Sequence, residues 1–418
     1  GLGDVYKRQG DKASWETAEY NYNWGLGAMN ASSAYALGFY GQNTTTGVMD
    51  SGAWLGNPDL DTPRITATHV TGVYGSSGNR YPQSIYATIQ KGVVPTAAEG
   101  QPFAEGEEFD VKGDYTLGLN DAHGTQVTGV IGAERNGEYG HGVAFKANVV
   151  VGNTGATDNN NYGPFQDYNY YFKGYKALAD AVNAGNGEYR GGMVNNSYGT
   201  NTKIYSSGGH RLTPDEMSEL LAGSGNYDRA SAAYAVTFSG DYSFLGLNDV
   251  PGADQYSTNP SAFEWEYMYF KLKYGDKPSF LDGAYDAVKG TNVILSWAAG
   301  NQDRGTPYLK GLYPYFHPEA EKNWLNAVGV MQTRGDNDQY MQATYCKAGL
   351  AKWWSMSGPT AYPGIGTTYV TTDLENGRLT TTGFNGTSAS DPQISGAFTV
   401  LQSRYPSMTA IQVKDVMY

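Results

Sequence analysis

Cysteine occurs once in this chain of 418 residues, at Cys346, and a lone thiol excludes an internal disulfide framework and every multi-cysteine metal site. Histidine is almost as scarce. His69, His123, His141, His210 and His317 include no two that lie three to five apart, so paired-histidine zinc chemistry has no support. Basic residues are outnumbered, 28 Lys plus Arg against 41 Asp plus Glu, which leaves a formal charge of -13 spread along the chain. That balance disfavours a nucleic-acid partner, whose phosphates demand clustered Lys and Arg. No uninterrupted apolar run reaches the ~18 residues of a membrane-spanning helix, so this segment is expected to make no membrane contact. Calcium is an open expectation without a motif, because no acidic loop shows its ligand spacing, and no metal or cofactor is assigned. The sequence opens at Gly1-Leu2-Gly3 without Met and without a basic-then-apolar segment, in a stretch without periodicity, and residues 1–19 are expected to be a leader or a cloning remnant. At the other end, Tyr418 interrupts the helical pattern of Ile411, Val413, Val416 and Met417 without a cap, so the natural chain is expected to continue.

What is present argues for a folded domain. Hydrophobic residues make up 40% and aromatic residues 14%, with only 17% charged, which is enough apolar surface for a sizeable core. Glycine supplies 56 residues, and so many imply tight turns and close backbone approaches. Short β-branched runs at 46–50, 147–152, 192–197, 292–298 and 327–331 alternate with helical stretches. This alternation predicts an α/β fold, a mostly parallel central sheet with helices on both faces. Leu178, Ala181 and Val182 share one face of a helix near 170–184, and Ile394, Ala397, Phe398, Leu401 and Tyr405 share one after Ser388. Residues 64–115 and 200–280 break the alternation and are expected to be surface insertions in one domain over 20–418. Nothing suggests more than a monomer.

Ligands in open α/β sheets collect beyond the carboxyl ends of the strands, so the polar residues there are the candidates. Val48-Met49-Asp50-Ser51-Gly52 ends a strand in a carboxylate, which alone reads equally as the cap of a turn. Asp121-Ala122-His123-Gly124-Thr125 puts a histidine at the opening of a small-residue helix, where a backbone carbonyl would satisfy it as well as a function would. Gly386-Thr387-Ser388-Ala389-Ser390-Asp391-Pro392 sets a serine before an apolar-periodic helix, the place of an ordinary N-cap. The same place offers a backbone N–H at the positive end of a helix, suited to a developing oxyanion. Pro392 is expected in the first turn, where its missing N–H costs little. Ser296-Trp297-Ala298-Ala299-Gly300-Asn301 ends a buried strand in small residues and an amide that can donate.

Taken together, Asp50, His123, Asn301 and Ser388 stand in an order, Asp then His then Ser, that resembles the chain order of the subtilisin-like serine proteases. The resemblance extends to the flanking residues. Gly47 to Gly52 is similar to the family's G-V-I-D-S-G, and Asn57-Pro58-Asp59-Leu60 to its H-P-D-L, with Asn57 replacing His. His123 to Gly132 matches H-G-T-x-V-A-G-x-I-A with Thr128 for Ala, and Gly140 to Ala144 resembles the G-x-x-G-V-A that follows. Ala298 to Asn301 matches A-A-G-N, and Gly386 to Gly396 matches G-T-S-M-A-x-P-x-V-x-G with Ala389, Ser390 and Ile394 substituted. Trp24, Ala31, Ala34, Tyr35 and Gly38 resemble the family's entry segment, so the likeness covers about residues 20 to 418. Within the family, residues 307–318, 323–329 and 348–359 resemble the subtilases of bacterial autotransporters. Ala348 and Trp354 stand where those often carry a cysteine pair.

The resemblance implies a three-layer subtilisin-like fold and a serine endopeptidase acting on polypeptides. Ser388 would be the nucleophile, His123 the general base, Asp50 the orienter of the imidazole, and Asn301 an oxyanion donor. It implies a substrate strand laid against Asn196, Ser197, Tyr198 and Gly199, with Ala298, Ala299 and Gly300 lining a pocket. Tyr198 is bulkier than the family's usual Leu, which leaves subsite preference open. An exported, extracellular or cell-surface location follows from the same likeness. The alternative is a catalytically inactive subtilase-fold binding or passenger module.

Overall fold

Thr45–Asp50 (β1) is buried at every position, as expected of a strand covered on both faces of a parallel sheet. Its successive side chains serve two different cores. Val48 packs with Val127, Val130 and Ala389, while Met49 packs with Tyr175, Leu178 and Val182 on the other face. The structure, a computed structural model, describes residues 10–76, 78–79, 102–114, 122–154, 167–198, 277–301, 305–332, 340–360 and 384–418. Gly199 and most of the expected 200–280 insertion lie outside these residues, as does the middle of 64–115.

The remaining strands are β2 (Ile65–Ala67), β3 (His69–Val73), β4 (Gly78–Asn79), β5 (Pro102–Phe103), β6 (Glu108–Lys112), β7 (Asn148–Asn153), β8 (Met193–Asn196), β9 (Ile294–Ala298), β10 (Trp324–Gln332), β11 (Tyr340–Gln342) and β12 (Ser355–Pro359). An eight-stranded sheet runs in the order β11-β10-β9-β8-β1-β7-β2, with β12 also paired to β10. Every pairing in it is parallel except that of β10 with β11. The five strand runs read from the sequence are all there. Three further strands of this sheet, β2, β11 and β12, carried no clear signal. Within 64–115, β2 joins the sheet edge, and β3 pairs antiparallel with β6 as a separate ribbon.

The helices are α1 (Ala18–Tyr22), α2 (Trp24–Ala28), α3 (Ala31–Ala36), α4 (His123–Gly132), α5 (Tyr168–Asn186), α6 (Phe280–Val288), α7 (Leu309–Phe316), α8 (Thr387–Arg404) and α9 (Ala410–Met417). One layer is formed by α5, α6 and α7, whose Leu178, Phe280 and Leu312 meet Val194, Leu295 and Trp324. The opposite layer holds α4, α8 and α9; there Ile394, Phe398 and Val413 meet Met193, Ile294 and Leu325. Adjacent residues of β8, β9 and β10 therefore point to opposite layers, the period-two signature of a strand. Packing also reaches further toward the N-terminus than residue 20. Trp15 is buried beside Tyr35, Tyr40 and Phe145, with the Arg135 guanidinium 5.1 Å from its ring centre.

His141 is enclosed by the rings of Tyr20, Tyr35 and Phe145. Its Nδ1 is 2.8 Å from Gly142 O, and its buried Nε2 has no hydrogen-bond partner among the described residues. Burial therefore depresses its pKa to about 4, against the carbonyl contact that raises it. The folded protein keeps this ring neutral where the unfolded chain protonates it, so stability is present above pH ~6.5 and is lost as pH falls toward ~4. His141→Phe should remove about 2–4 kcal/mol of that acid dependence, read from urea midpoints at pH 7 and pH 4.5. A parent and variant with parallel pH profiles would contradict it.

Candidate active site

The strand that follows β1 in the sheet on one side is β7, and the next, reached through α5, is β8 on the other side. The direction of strand addition thus reverses at β1, and the reversal opens a crevice beyond its carboxyl end. Asp50 is the last residue of β1 and is fully buried there. Its Oδ1 accepts from Ser51 N at 2.8 Å and from His123 Nδ1 at 3.0 Å. An ionised carboxylate can only accept, so this contact places the imidazole proton on Nδ1 and leaves Nε2 as the basic nitrogen. Oδ2 of Asp50 is buried without a partner among the described residues.

His123 is the first residue of α4, and a close approach of that helix to the β1 turn brings it to Asp50. Ser51 Oγ accepts from Gly124 N at 3.0 Å. A Cβ at Gly124 would lie 2.2 Å from Gly52 O, so only glycine permits the approach. The rings of Phe384 and His123 meet edge to face, with centroids 5.3 Å apart and planes at 80°. Phe384 stands four residues before Ser388, so the histidine touches the segment leading into the serine helix.

Ser388 is the second residue of α8, whose N-cap is Gly386 at φ 84°, a residue with no side chain of its own to cap this end. The N-cap reading of Ser388 is thereby replaced. Thr387 N donates to Asn301 Oδ1, and Ala389 N and Ser390 N return to Gly386 O, while the Ser388 N–H belongs to the helix end that lacks intrahelical acceptors. Ser388 Oγ donates to Ser197 O at 2.6 Å. Pro392 lies in the second turn of α8, not the first, so it deprives Ser388 O of its usual donor.

Asn301 Oδ1 accepts from Thr387 N at 2.8 Å and from Thr387 Oγ1 at 2.9 Å. The same hydroxyl accepts from Gly300 N at 3.0 Å. With its oxygen committed twice, the Asn301 amide directs its NH₂ away from Thr387. The sequence showed Thr387 only as part of the Gly-Thr-Ser pattern; its role in fixing the amide emerges from the structure.

The expected substrate wall is more internal than its residues suggested. Asn196 Nδ2 donates to Val194 O and Ser296 O, and Tyr175 OH donates to Asn196 Oδ1, so the side chain belongs to the core. Tyr198 likewise turns inward. Its hydroxyl is 2.6 Å from that of Tyr175, its ring lies against Trp297, and Lys310 Nζ is 4.9 Å from the ring centre. Burial, reinforced by Tyr175, pushes its phenol well above the usual range. Ser197 offers its carbonyl to Ser388, and Ala298, Ala299 and Gly300 close the end of β9. Cys346 is buried and, as the single cysteine of the chain, forms no internal disulfide.

Beneath these groups lies a carboxyl that the sequence reading left as an unspecified motif position. Asp391 is fully buried, and burial, with Asp50 adding to it, pushes its pKa up to about 7 despite three hydrogen bonds that lower it. Among the described residues no group of three or more His, Cys, Asp and Glu could hold a metal. No helix among them is long and apolar enough to cross a membrane.

Fold and site together define an α/β protein with an Asp-bound imidazole and a helix-borne serine at the carboxyl edge of a parallel sheet. A family model described as "Subtilase family" (Peptidase_S8) matches residues 41–418, and the chain belongs to that family. Among curated proteins, an "Extracellular serine protease" of Serratia marcescens is 23% identical over 428 aligned residues, 98% of this chain and 32% of that protein. "Serotype-specific antigen 1" of Mannheimia haemolytica is 32% identical over 131 residues, 31% of this chain and 13% of that protein. The chain therefore spans about a third, 32%, of the length of the Serratia protease. Among solved structures, the Aeromonas sobria serine protease in complex with its chaperone is 17% identical at a TM-score of 0.46, covering 93% of this chain and 51% of that one.

Gly124→Ala should separate α4 from the β1 turn. The expected result is a loss of about 1–3 kcal/mol in urea unfolding together with loss of the protected imidazole Nδ1–H signal of His123 in proton NMR. Retention of both would show that the turn yields without disturbing the Asp50–His123 contact.

Proposed function

We propose that this chain is the catalytic domain of an exported serine endopeptidase. The observation that carries the reading is the 3.0 Å contact of His123 Nδ1 with buried Asp50, which puts the imidazole proton on Nδ1 and leaves Nε2 as the basic nitrogen. Ser388 Oγ has one proton, now donated to Ser197 O, and activation requires that proton to pass to His123 Nε2. Oγ then attacks the peptide carbonyl carbon, and the carbonyl oxygen becomes an oxyanion. The Asn301 NH₂ and the Ser388 N–H are the donors for that charge, worth most where they gain strength only in the transition state. The imidazolium, stabilised by Asp50, returns the proton to the leaving amine, and an acyl-enzyme on Ser388 remains. Water repeats the sequence with His123 as base and restores the hydroxyl.

The substrate chain would lie as an added strand along Ser197 and Gly199, with Ala298, Ala299 and Gly300 beside the residue before the cut. Because Asn196 and Tyr198 are turned inward, they would contribute backbone rather than side-chain recognition. Export is supported by the likeness to a protein named as extracellular. The acidic charge and single cysteine are compatible with that location.

A fluorophosphonate should label the protein once, on Ser388, and His123→Ala should abolish labelling without loss of fold. Labelling elsewhere, or none in folded protein, would point to a binding module instead. Asn301→Leu should lower kcat by about 10² to 10³, the loss seen on removing the corresponding donor in subtilisin, and leave KM within a few-fold. An unchanged kcat would show that other groups hold the oxyanion.

A further inference from the structure

Asp391 lies one helical turn beyond Ser388 on α8 and is fully buried. Its Oδ1 accepts from Ser296 Oγ on β9. Its Oδ2 accepts from Asn196 N at 3.3 Å and from Ser197 Oγ at 3.4 Å, at the end of β8. One carboxyl thus joins three elements: the serine helix and the ends of two neighbouring strands.

A buried carboxyl is costly unless paired. Here the partners are hydroxyls and amides, and among the described residues no Lys, Arg or His forms an ion pair with it. The charge of Asp50 adds to the cost. An apolar residue would pack into a helix interior at less expense, so the carboxyl is explained by what it holds. Asn196 N and Ser197 Oγ flank the peptide unit that leads to Ser197 O, and Ser197 O is the acceptor for Ser388 Oγ.

We propose that Asp391 is a positioning residue that ties the Ser388 helix to the Asn196-Ser197 strand end and so sets the nucleophile against the edge on which an extended substrate lies. This rests on the endopeptidase reading above. Asp391 touches neither substrate nor the reacting atoms; it acts through Ser197.

The test compares Asp391→Asn and Asp391→Leu with the parent in the full chain, using an extended chromogenic peptide and a small fluorophosphonate that does not need the strand edge. The amide of Asn can accept from Asn196 N and Ser197 Oγ and donate to Ser296 Oγ, so its kcat/KM should stay within about three-fold of the parent. Leu removes every acceptor and leaves those donors buried without partners. Its kcat/KM for the peptide should fall by about 10- to 100-fold, chiefly in KM, while the fluorophosphonate labelling rate stays within about three-fold. Should Asp391→Leu fail to fold, Asp391→Ser, whose short hydroxyl cannot reach both strands, is read the same way. Unchanged peptide kinetics in a folded Leu or Ser variant would overturn the proposal, as would an equal loss toward both reagents that Asn does not rescue. A parent that neither cleaves nor labels would overturn the endopeptidase reading, and the positioning role with it. An active parent with indifferent variants would overturn the positioning role alone.

Discussion

A parallel sheet covered by helices on both faces can expose polar groups only where its strands end, and this constraint organises the molecule. The two faces of β1 are occupied by Val48 and Met49, each committed to a different apolar layer. Chemistry is therefore confined to the carboxyl edge, where the order of strand addition reverses and two loops diverge. Asp50, the approach of α4, the start of α8 and the end of β9 all meet that edge because their elements have no other polar outlet.

The second determinant is close backbone contact. Gly124 against Gly52 O, and Gly386 against the Asn301 amide, bring helix ends nearer to the strand ends than any side chain would allow. Hydroxyls then fix what the backbone brings together: Ser51 holds Gly124 N, and Thr387 holds both Gly300 N and Asn301 Oδ1. Neutral donors carry most of this arrangement, which spares it the full desolvation of buried ion pairs.

The architecture was legible because period-two burial and helical periodicity survive in long elements. The five core strands and the helices at 170–184 and after Ser388 emerged from the residues alone. Short edge strands such as Ile65–Ala67 lack enough residues to show a period, and Ser355–Pro359 is hidden by glycine and proline. At the site, Asp50, His123, Asn301 and Ser388 stood out through their motifs, and the structure joins Asp50 directly to His123 and Asn301 to the residue before Ser388. Side-chain direction was not legible. Tyr198 read as a cleft residue because position along the chain does not say which way a ring turns after a strand ends, and Phe384 had no motif to mark it.

The inward turn of Tyr198 matters for anyone seeking to alter what this domain recognises. In a wall where side chains face the cleft, randomising them samples preference directly. Here the phenol is sealed among Tyr175, Trp297 and Lys310, so a library at this position would vary what fills the interior, and most members would be lost to misfolding before any change of selectivity could be scored.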